Sequence, residues 1–169
     1  MVHDSHMAFY IPCSLFHYAT GTWTMTNGFV AGTIIIKVND ADQTSIVTIP
    51  IMLPSNSVAL KGSYIRTIEI DYEIVDAPLT SVTAAVNKVT RGADGADAVV
   101  AAQTFTYDSG HDTAEERVEQ DTHKMVLTLD TPIWIDNDEY LLVALTCDQA
   151  GDNGVIQFFS ATANYTERL

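Results

Sequence analysis

Apolar side chains return at every second position along almost the whole chain. The clearest stretch is KGSYIRTIEIDYEIV, residues 61–75. There Ile68, Ile70, Tyr72 and Ile74 share one face, and Thr67, Glu69, Asp71 and Glu73 share the other. That spacing is a half-buried strand with a solvated acidic face. The next run, LTSVTAAVNKV, sets Val82, Ala84 and Val86 together. Between the two lies Asp76-Ala77-Pro78, a turn signal whose proline is barred from the interior of a ladder. The two runs are therefore expected to pair antiparallel.

Other runs follow the same logic. GTIIIKV alternates Ile34, Ile36 and Val38 against Ile35 and Lys37, and TSIVTIPIML aligns Val47, Ile49, Ile51 and Leu53. Pro50 removes a donor from the latter, which predicts an edge strand or a break. AVVAAQTFTY, HKMVLTL (Met125, Leu127, Leu129) and EYLLVALTC come next. VIQFFSATANYTE places Phe159, Ala161, Ala163 and Tyr165 inward, with Ser160, Thr162, Asn164 and Thr166 outward. About eight strands separated by polar turns predict an all-β chain, a single jelly-roll-like antiparallel β-sandwich. The expected core is Val47, Ile49, Ile68, Ile70, Tyr72, Val82, Val86, Leu127, Leu129, Leu141, Val143, Leu145 and Phe159.

One segment breaks the period of two. HDTAEERVEQD offers Asp112 as an N-cap, Glu115 and Glu116 in a first turn, and Val118 as its sole apolar anchor. It predicts one short helix, Thr113 to Glu119, lying across an end of the sandwich. No repeat or linker divides the chain, so residues 8–169 read as one domain. Residues 1–7, MVHDSHM, look unlike the rest and are set aside as a flexible N-terminus or an added remnant.

Composition changes the picture in one respect. The 169 residues include 8 Lys and Arg against 22 Asp and Glu, a net charge of −14, while 47% are hydrophobic and 18% charged. That apolar content argues against disorder. The charge argues against nucleic acid and anionic membranes as partners, because both would repel such a surface. No apolar run reaches the roughly 18 residues of a membrane span, and no signal peptide precedes the body. Cys13 and Cys147 lack Cys-x-x-Cys spacing and read as two buried thiols rather than one long-range disulfide.

Candidate chemistry is sparse. Ser109-Gly110-His111-Asp112 holds the residue types of a hydrolase but reads as a turn and a helix start, since triad members are rarely adjacent in sequence. Arg91-Gly92-Ala93-Asp94-Gly95 reads as a hairpin loop and not a phosphate cradle. The alternating carboxylates Glu69, Asp71 and Glu73 read as a wet face, and no catalytic or cofactor-binding residue is expected. Asp136, Asp138, Asp148 and Asp152 are weak calcium candidates, lying in Asp/Asn/Gly loops without EF-hand spacing. His3, His6, His17, His111 and His123 read as hydrogen-bonded surface or interface residues. Trp23 in GTWTMT and Trp134 in PIWID could stack on a sugar ring, but each sits in an alternating run where core burial or subunit contact is expected.

The ordered series TGTWTMT, VTIPIMLP, LKGSYIRTIEIDYEIVDAPLTSVTAAVNKV and YDSGHDTAEERVEQDTHKMVLTLDTPIWIDNDEYLLVALT resembles uncharacterised jelly-roll virion components of bacteriophage and environmental viruses. The resemblance implies a structural protein of the virion that decorates or cements a capsid or belongs to a tail or fibre. It would be non-enzymatic, and its partners would be its own copies and other virion proteins. It carries no catalytic signature. A homo-oligomer of this charge must bury an apolar patch. Ile35 in IIIKV and Phe158 in VIQFF are the expected outward-facing interface residues of a homotrimer, with pentamer or hexamer as alternatives. The runner-up function is a carbohydrate-binding or adhesin-like β-sandwich module, motivated by the two tryptophans and the Asp/Asn loops.

Overall fold

The structure, a computed structural model, describes residues 4–28, 33–38, 43–53, 63–149 and 154–168. Twelve strands are found among them: β1 (Asp4–Pro12), β2 (His17–Thr20), β3 (Trp23–Gly28), β4 (Thr33–Val38), β5 (Thr44–Ile51), β6 (Ser63–Val75), β7 (Ser81–Thr90), β8 (Val99–Gln103), β9 (Phe105–Tyr107), β10 (Thr122–Ile135), β11 (Glu139–Asp148) and β12 (Val155–Arg168). They form two antiparallel sheets facing each other as a sandwich. The larger has seven strands in the order β3-β4-β12-β6-β10-β9, with β1 also on β12; the smaller runs β2-β5-β11-β7-β8. No helix among the described residues is long and apolar enough to cross a membrane.

Alternation dictates the core. Ile68, Ile70, Tyr72 and Ile74 of β6 face inward with Met125, Leu127 and Leu129 of β10. Val47, Ile49 and Ile51 of β5, and Leu141, Val143 and Leu145 of β11, meet them from the smaller sheet. Cys13 and Cys147 are both buried thiols, as expected, and burial pushes the Cys147 thiol up to about 12. Pro50 does not end β5: β2 covers only Ile46 to Thr48, so the missing amide falls where no partner needs it.

Several expectations are corrected. β6 and β7 do not pair with each other; they lie in opposite sheets, because Asp76, at a φ of 73°, turns the chain across the sandwich. AVVAAQTFTY is two strands, β8 on β7 and β9 on β10, so the chain changes sheets around Thr104. Residues 113–119 are not a helix but successive turns. One apolar anchor gives a helix too little face to bury. The capping pair is Thr113 with Glu116 rather than Asp112 with Glu115: the Thr113 amide donates to Glu116 Oε2 at 3.1 Å, and the Glu116 amide donates to Thr113 Oγ1 at 3.3 Å. The N-terminal segment set aside is strand from Asp4 on, paired with Arg168 to Tyr165 of β12.

Phe158 is fully buried and not outward-facing, ringed by Phe16, Trp23 and Tyr72 with centroids 6.0–6.3 Å away. A one-residue bulge at Phe159 is the reason. Phe158 pairs with Tyr72 and Ser160 with Asp71, so the inward set is Ile156 and Phe158 before the bulge and Ala161, Ala163 and Tyr165 after it. Phe159, expected in the core, is only half-buried. Ile35 lies in β4 opposite Thr26, and its side chain is outside the described set.

Ile70→Ala costs about 2–5 kcal/mol of stability, the range for a large core side chain cut to Ala. Glu69→Ala, on the other face, costs under about 1 kcal/mol. Chemical denaturation of both variants measures the difference; equal losses would place Ile70 on the wrong face.

Candidate functional site

The outer face of the seven-stranded sheet carries its chemistry in cross-strand rows. In the first row His6 of β1, Thr166 of β12, Tyr64 of β6 and Trp134 of β10 stand opposite one another. In the next come Ala8, Asn164, Thr67 and Thr128, then Tyr10, Thr162, Glu69 and Val126, then Pro12, Ser160, Asp71 and Lys124. Trp134 is 41% exposed, which corrects the expectation of core burial. Its ring lies 4.8 Å from that of Tyr64 at a tilt of 50°. Trp23, by contrast, is half-buried, packed 4.6 Å from Tyr18, with its indole N–H donating to the Thr20 carbonyl at 2.8 Å.

A break in register shapes the first two rows, a one-residue bulge against β12 and a wider mismatch against β10, where residues 129–132 stand against Arg66 alone. On β12, Tyr165 pairs with Ile65 and Asn164 with Thr67; on β10, Ile133 pairs with Ile65 and Thr128 with Thr67. Arg66 is thus skipped by both neighbours, and it emerges on the outer face beside Thr67 instead of alternating inward. Bulges of this kind re-aim side chains. The Arg66 guanidinium sits over the Tyr64 ring at 5.3 Å. Arg66, His6, Met7, Ala8, Thr67, Asn164, Tyr165 and Thr166 line a cleft of about 380 Å³.

The polar groups of this face are oriented by their neighbours. Asn164 Nδ2 donates to Thr67 Oγ1 at 3.1 Å and Glu69 Oε1 at 2.8 Å, and Thr166 Oγ1 lies 3.1 Å from His6 Nδ1. Lys124 reaches Glu69 at 2.6 Å. That ammonium, helped by Asn164, holds the Glu69 carboxyl below the usual range. Ser160 Oγ donates to Asp71 at 2.5 Å.

A second cluster, buried, lies toward the other ends of β6 and β10. The Asp108 carboxylate accepts from His111 Nδ1 (2.9 and 3.0 Å), from the Gly110 amide (3.0 Å) and from the Val126 amide (2.6 Å). His111 Nε2 lies 3.2 Å from His123 Nδ1, and His123 Nε2 lies 2.9 Å from the Glu119 carbonyl. Both ends of this chain are acceptors, so His111 Nδ1 and His123 Nε2 each donate outward. Arg117, 9% exposed, donates to the carbonyls of Val82 and His111 and stacks 4.3 Å over Tyr107. Tyr72 donates to the Arg117 carbonyl, and the Ala84 amide donates to Tyr107 Oη. His111 and His123 are therefore buried structural groups rather than surface residues. The cluster pins the segment between β9 and β10 to both sheets.

The calcium candidates are not brought together. Asp136 and Asp138 form the exposed turn after β10, where the Glu139 amide donates to the Asp136 carbonyl at 3.1 Å. Asp148 closes the far end of β11, accepting from Thr44 Oγ1 at 2.9 Å. Asp152 lies outside the described residues. Among the described residues no group of three His, Cys, Asp or Glu side chains could hold a metal ion. Sequence reasoning named Trp134 but missed Tyr64, Arg66 and Asn164. Tyr64 opposite Trp134 is a pairing no single strand reveals, and the bulge at Arg66 has no local signature.

No protein-family model matches the chain, and no curated protein does. Among solved structures it is similar to the catalytic domain of Agl-KA at 9% identity and a TM-score of 0.44, with 92% of this chain and 27% of that one covered. It is also similar to a carbohydrate-binding module of the β-sandwich superfamily at 12% identity and a TM-score of 0.40, covering 93% of this chain and 54% of that one. The family 11 carbohydrate-binding module of Clostridium thermocellum aligns at 9% identity and a TM-score of 0.34 over 96% of this chain and 87% of its own. The chain spans about a quarter of the first of these and about half of the second.

The buried cluster makes a pH prediction. Burial pushes the Asp108 carboxyl up, but the Val126 amide, the His111 ring and the Gly110 amide outweigh it and hold the carboxyl below its ordinary value. Its contribution is then present above about pH 4 and lost as pH falls through the folded value. Asp108→Asn lowers the melting temperature at pH 7, and the gap from the parent narrows below about pH 4. Thermal melts across that range read it; a gap constant with pH would mean the carboxylate charge does no structural work.

Proposed function

We propose that this chain is a carbohydrate-binding β-sandwich module that binds without catalysis through the outer face of its larger sheet. The exposed Trp134 beside Tyr64 carries the reading. A sugar ring has an apolar C–H face and a hydroxyl rim. Aromatic rings suit the first, and a few oriented polar groups suit the second. Asn164, Thr67, Thr166 and His6, each already positioned by a neighbour, stand within two rows of the aromatic pair. Catalysis by a carboxylate pair finds no support on this face, since Asp71 is engaged by Ser160 and Glu69 by Lys124 and Asn164. Glu69, held ionised, is also a poor general acid.

The test uses the two tryptophans. In a Trp23→Phe variant, emission comes from Trp134 alone, and saturating glycan shifts it to shorter wavelength. Trp134→Ala lowers affinity by about tenfold or more, the scale of one lost stacking contact. Silence across a broad glycan array removes the reading.

Self-association in a virion is a second reading, resting on the resemblance of the strand series and favoured by β8. Val99 and Val100 of this edge strand are 64% and 61% exposed, and no charge or proline occurs from Ala98 to Tyr107. Such an edge lacks the usual guards against pairing with a second copy. Light scattering then reports an oligomer for the parent chain and a monomer for Val100→Lys. A parent that stays monomeric, and never joins a particle, eliminates it.

A further inference from the structure

We propose that the cleft beside the aromatic pair selects glycans bearing a single carboxylated sugar, with the Arg66 guanidinium clasping the carboxylate. The inference rests on the glycan-binding reading above and deepens it by naming the sugar class.

The cleft is electrostatically unlike the rest of the molecule. The chain has 22 acidic side chains against 8 basic ones, yet no Asp or Glu is among the residues that line this cleft. Its ionisable lining groups are Arg66, His6 and Tyr165. Tyr165 is kept neutral, its hydroxyl pushed up by burial. Of the carboxylates around it, Glu69 is neutralised by Lys124 at 2.6 Å, and Glu167 acts on Tyr165.

Arg66 itself has no carboxylate partner among the described residues; its guanidinium contacts the Tyr64 ring. The other described cations are committed differently. Lys88 pairs with Glu139 at 2.7 Å, Lys124 with Glu69, and Arg117 is spent on buried carbonyls, while Arg91 lines a different cleft that also holds Asp138 and Glu139. The guanidinium carbon lies 5.3 Å from the Tyr64 ring centroid, and Arg66 lines the cleft. A planar fork matches a carboxylate in a bidentate pair, which a point charge does not do.

Size and long-range charge narrow the class. About 380 Å³ accommodates one or two sugar rings, far less than a chain. The net charge of −14 repels a polyanion at a distance, whereas a single acidic residue in an otherwise neutral glycan meets mainly the local field of Arg66.

The experiment is an array of matched glycans bound by the full chain: neutral oligosaccharides, the same oligosaccharides carrying one uronic or sialic acid, their carboxyl-reduced forms, and singly sulfated forms. Hits are then titrated with the parent, Arg66→Gln, Arg66→Lys and Trp134→Ala, each checked for an unchanged far-UV spectrum. The expected result is a preference of at least tenfold for carboxylated over carboxyl-reduced glycans. Arg66→Gln abolishes that preference, Arg66→Lys restores only part of it, and Trp134→Ala weakens every hit. Equal binding of acidic and reduced forms, or a preference for sulfate alone, overturns the carboxylate assignment and leaves the glycan-binding reading standing. A preference that survives in Arg66→Gln overturns the role of Arg66. An array with no hits overturns both.

Discussion

A strand in a sandwich has one inward face, and a single extra residue exchanges inside for outside along everything that follows. That constraint governs the larger sheet more than any single contact. Its two central strands each carry a residue that the pairing skips, Arg66 on β6 and Phe159 on β12. At Arg66 the skip brings a charged side chain out between two outward neighbours, Tyr64 and Thr67. At Phe159 it keeps Phe158 inside and falls where β12 changes partners on one edge, from β4 at Gln157–Phe158 to β1 from Ser160 onward. The core stays apolar on both sides of each irregularity because the inward set is re-phased and not interrupted.

The two sheets are joined by polar contacts as well as by their apolar faces. The segment between β9 and β10 reaches β7 through Arg117 on the Val82 carbonyl, and Tyr107 reaches it through the Ala84 amide. Under it run Asp108, His111 and His123. A buried network of this kind stabilises only when every member is satisfied, since each unpaired group would cost the full desolvation penalty. The network and the aromatic face lie toward opposite ends of β6 and β10, so rigidity at one end and exposure at the other divide the same two strands.

How much was legible beforehand follows from the same physics. Strict alternation from Ile68 to Ile74 and from Leu141 to Leu145 is a local property, and the structure buries each of those inward side chains. The sandwich class and the buried thiols come from the same kind of signal. What failed was non-local. Which sheet β7 joins depends on Asp76 adopting a left-handed conformation, and a turn dipeptide does not distinguish a hairpin from a crossing between sheets. Phe158 was assigned outward because the alternation was counted back from Tyr165 through a bulge that nothing in VIQFF announces. For Trp134 the sequence leaves core burial and subunit contact both open, because the outer face of a strand is indistinguishable from its inner face when both carry apolar residues; the structure excludes the first. The helix expected at residues 113–119 had a sound cap one residue away from the predicted one and too little apolar surface to go further.

The position of β12 in the chain order has a bearing on how the molecule is made. It holds the middle of the larger sheet, with β6 along one edge and β4 and β1 along the other. A nascent chain can form the β3–β4 hairpin and, once β11 has emerged, the smaller sheet. β1 and the hairpin nevertheless have nothing to join until Val155 to Arg168 leave the ribosome. The Asp4–Arg168 pairing closes a loop of nearly the whole chain, the kind of distant contact that slows folding to milliseconds or seconds. During synthesis the edges of β4 and β6 that β12 covers therefore wait unpaired, the condition under which a folding chain is most exposed to wrong pairing.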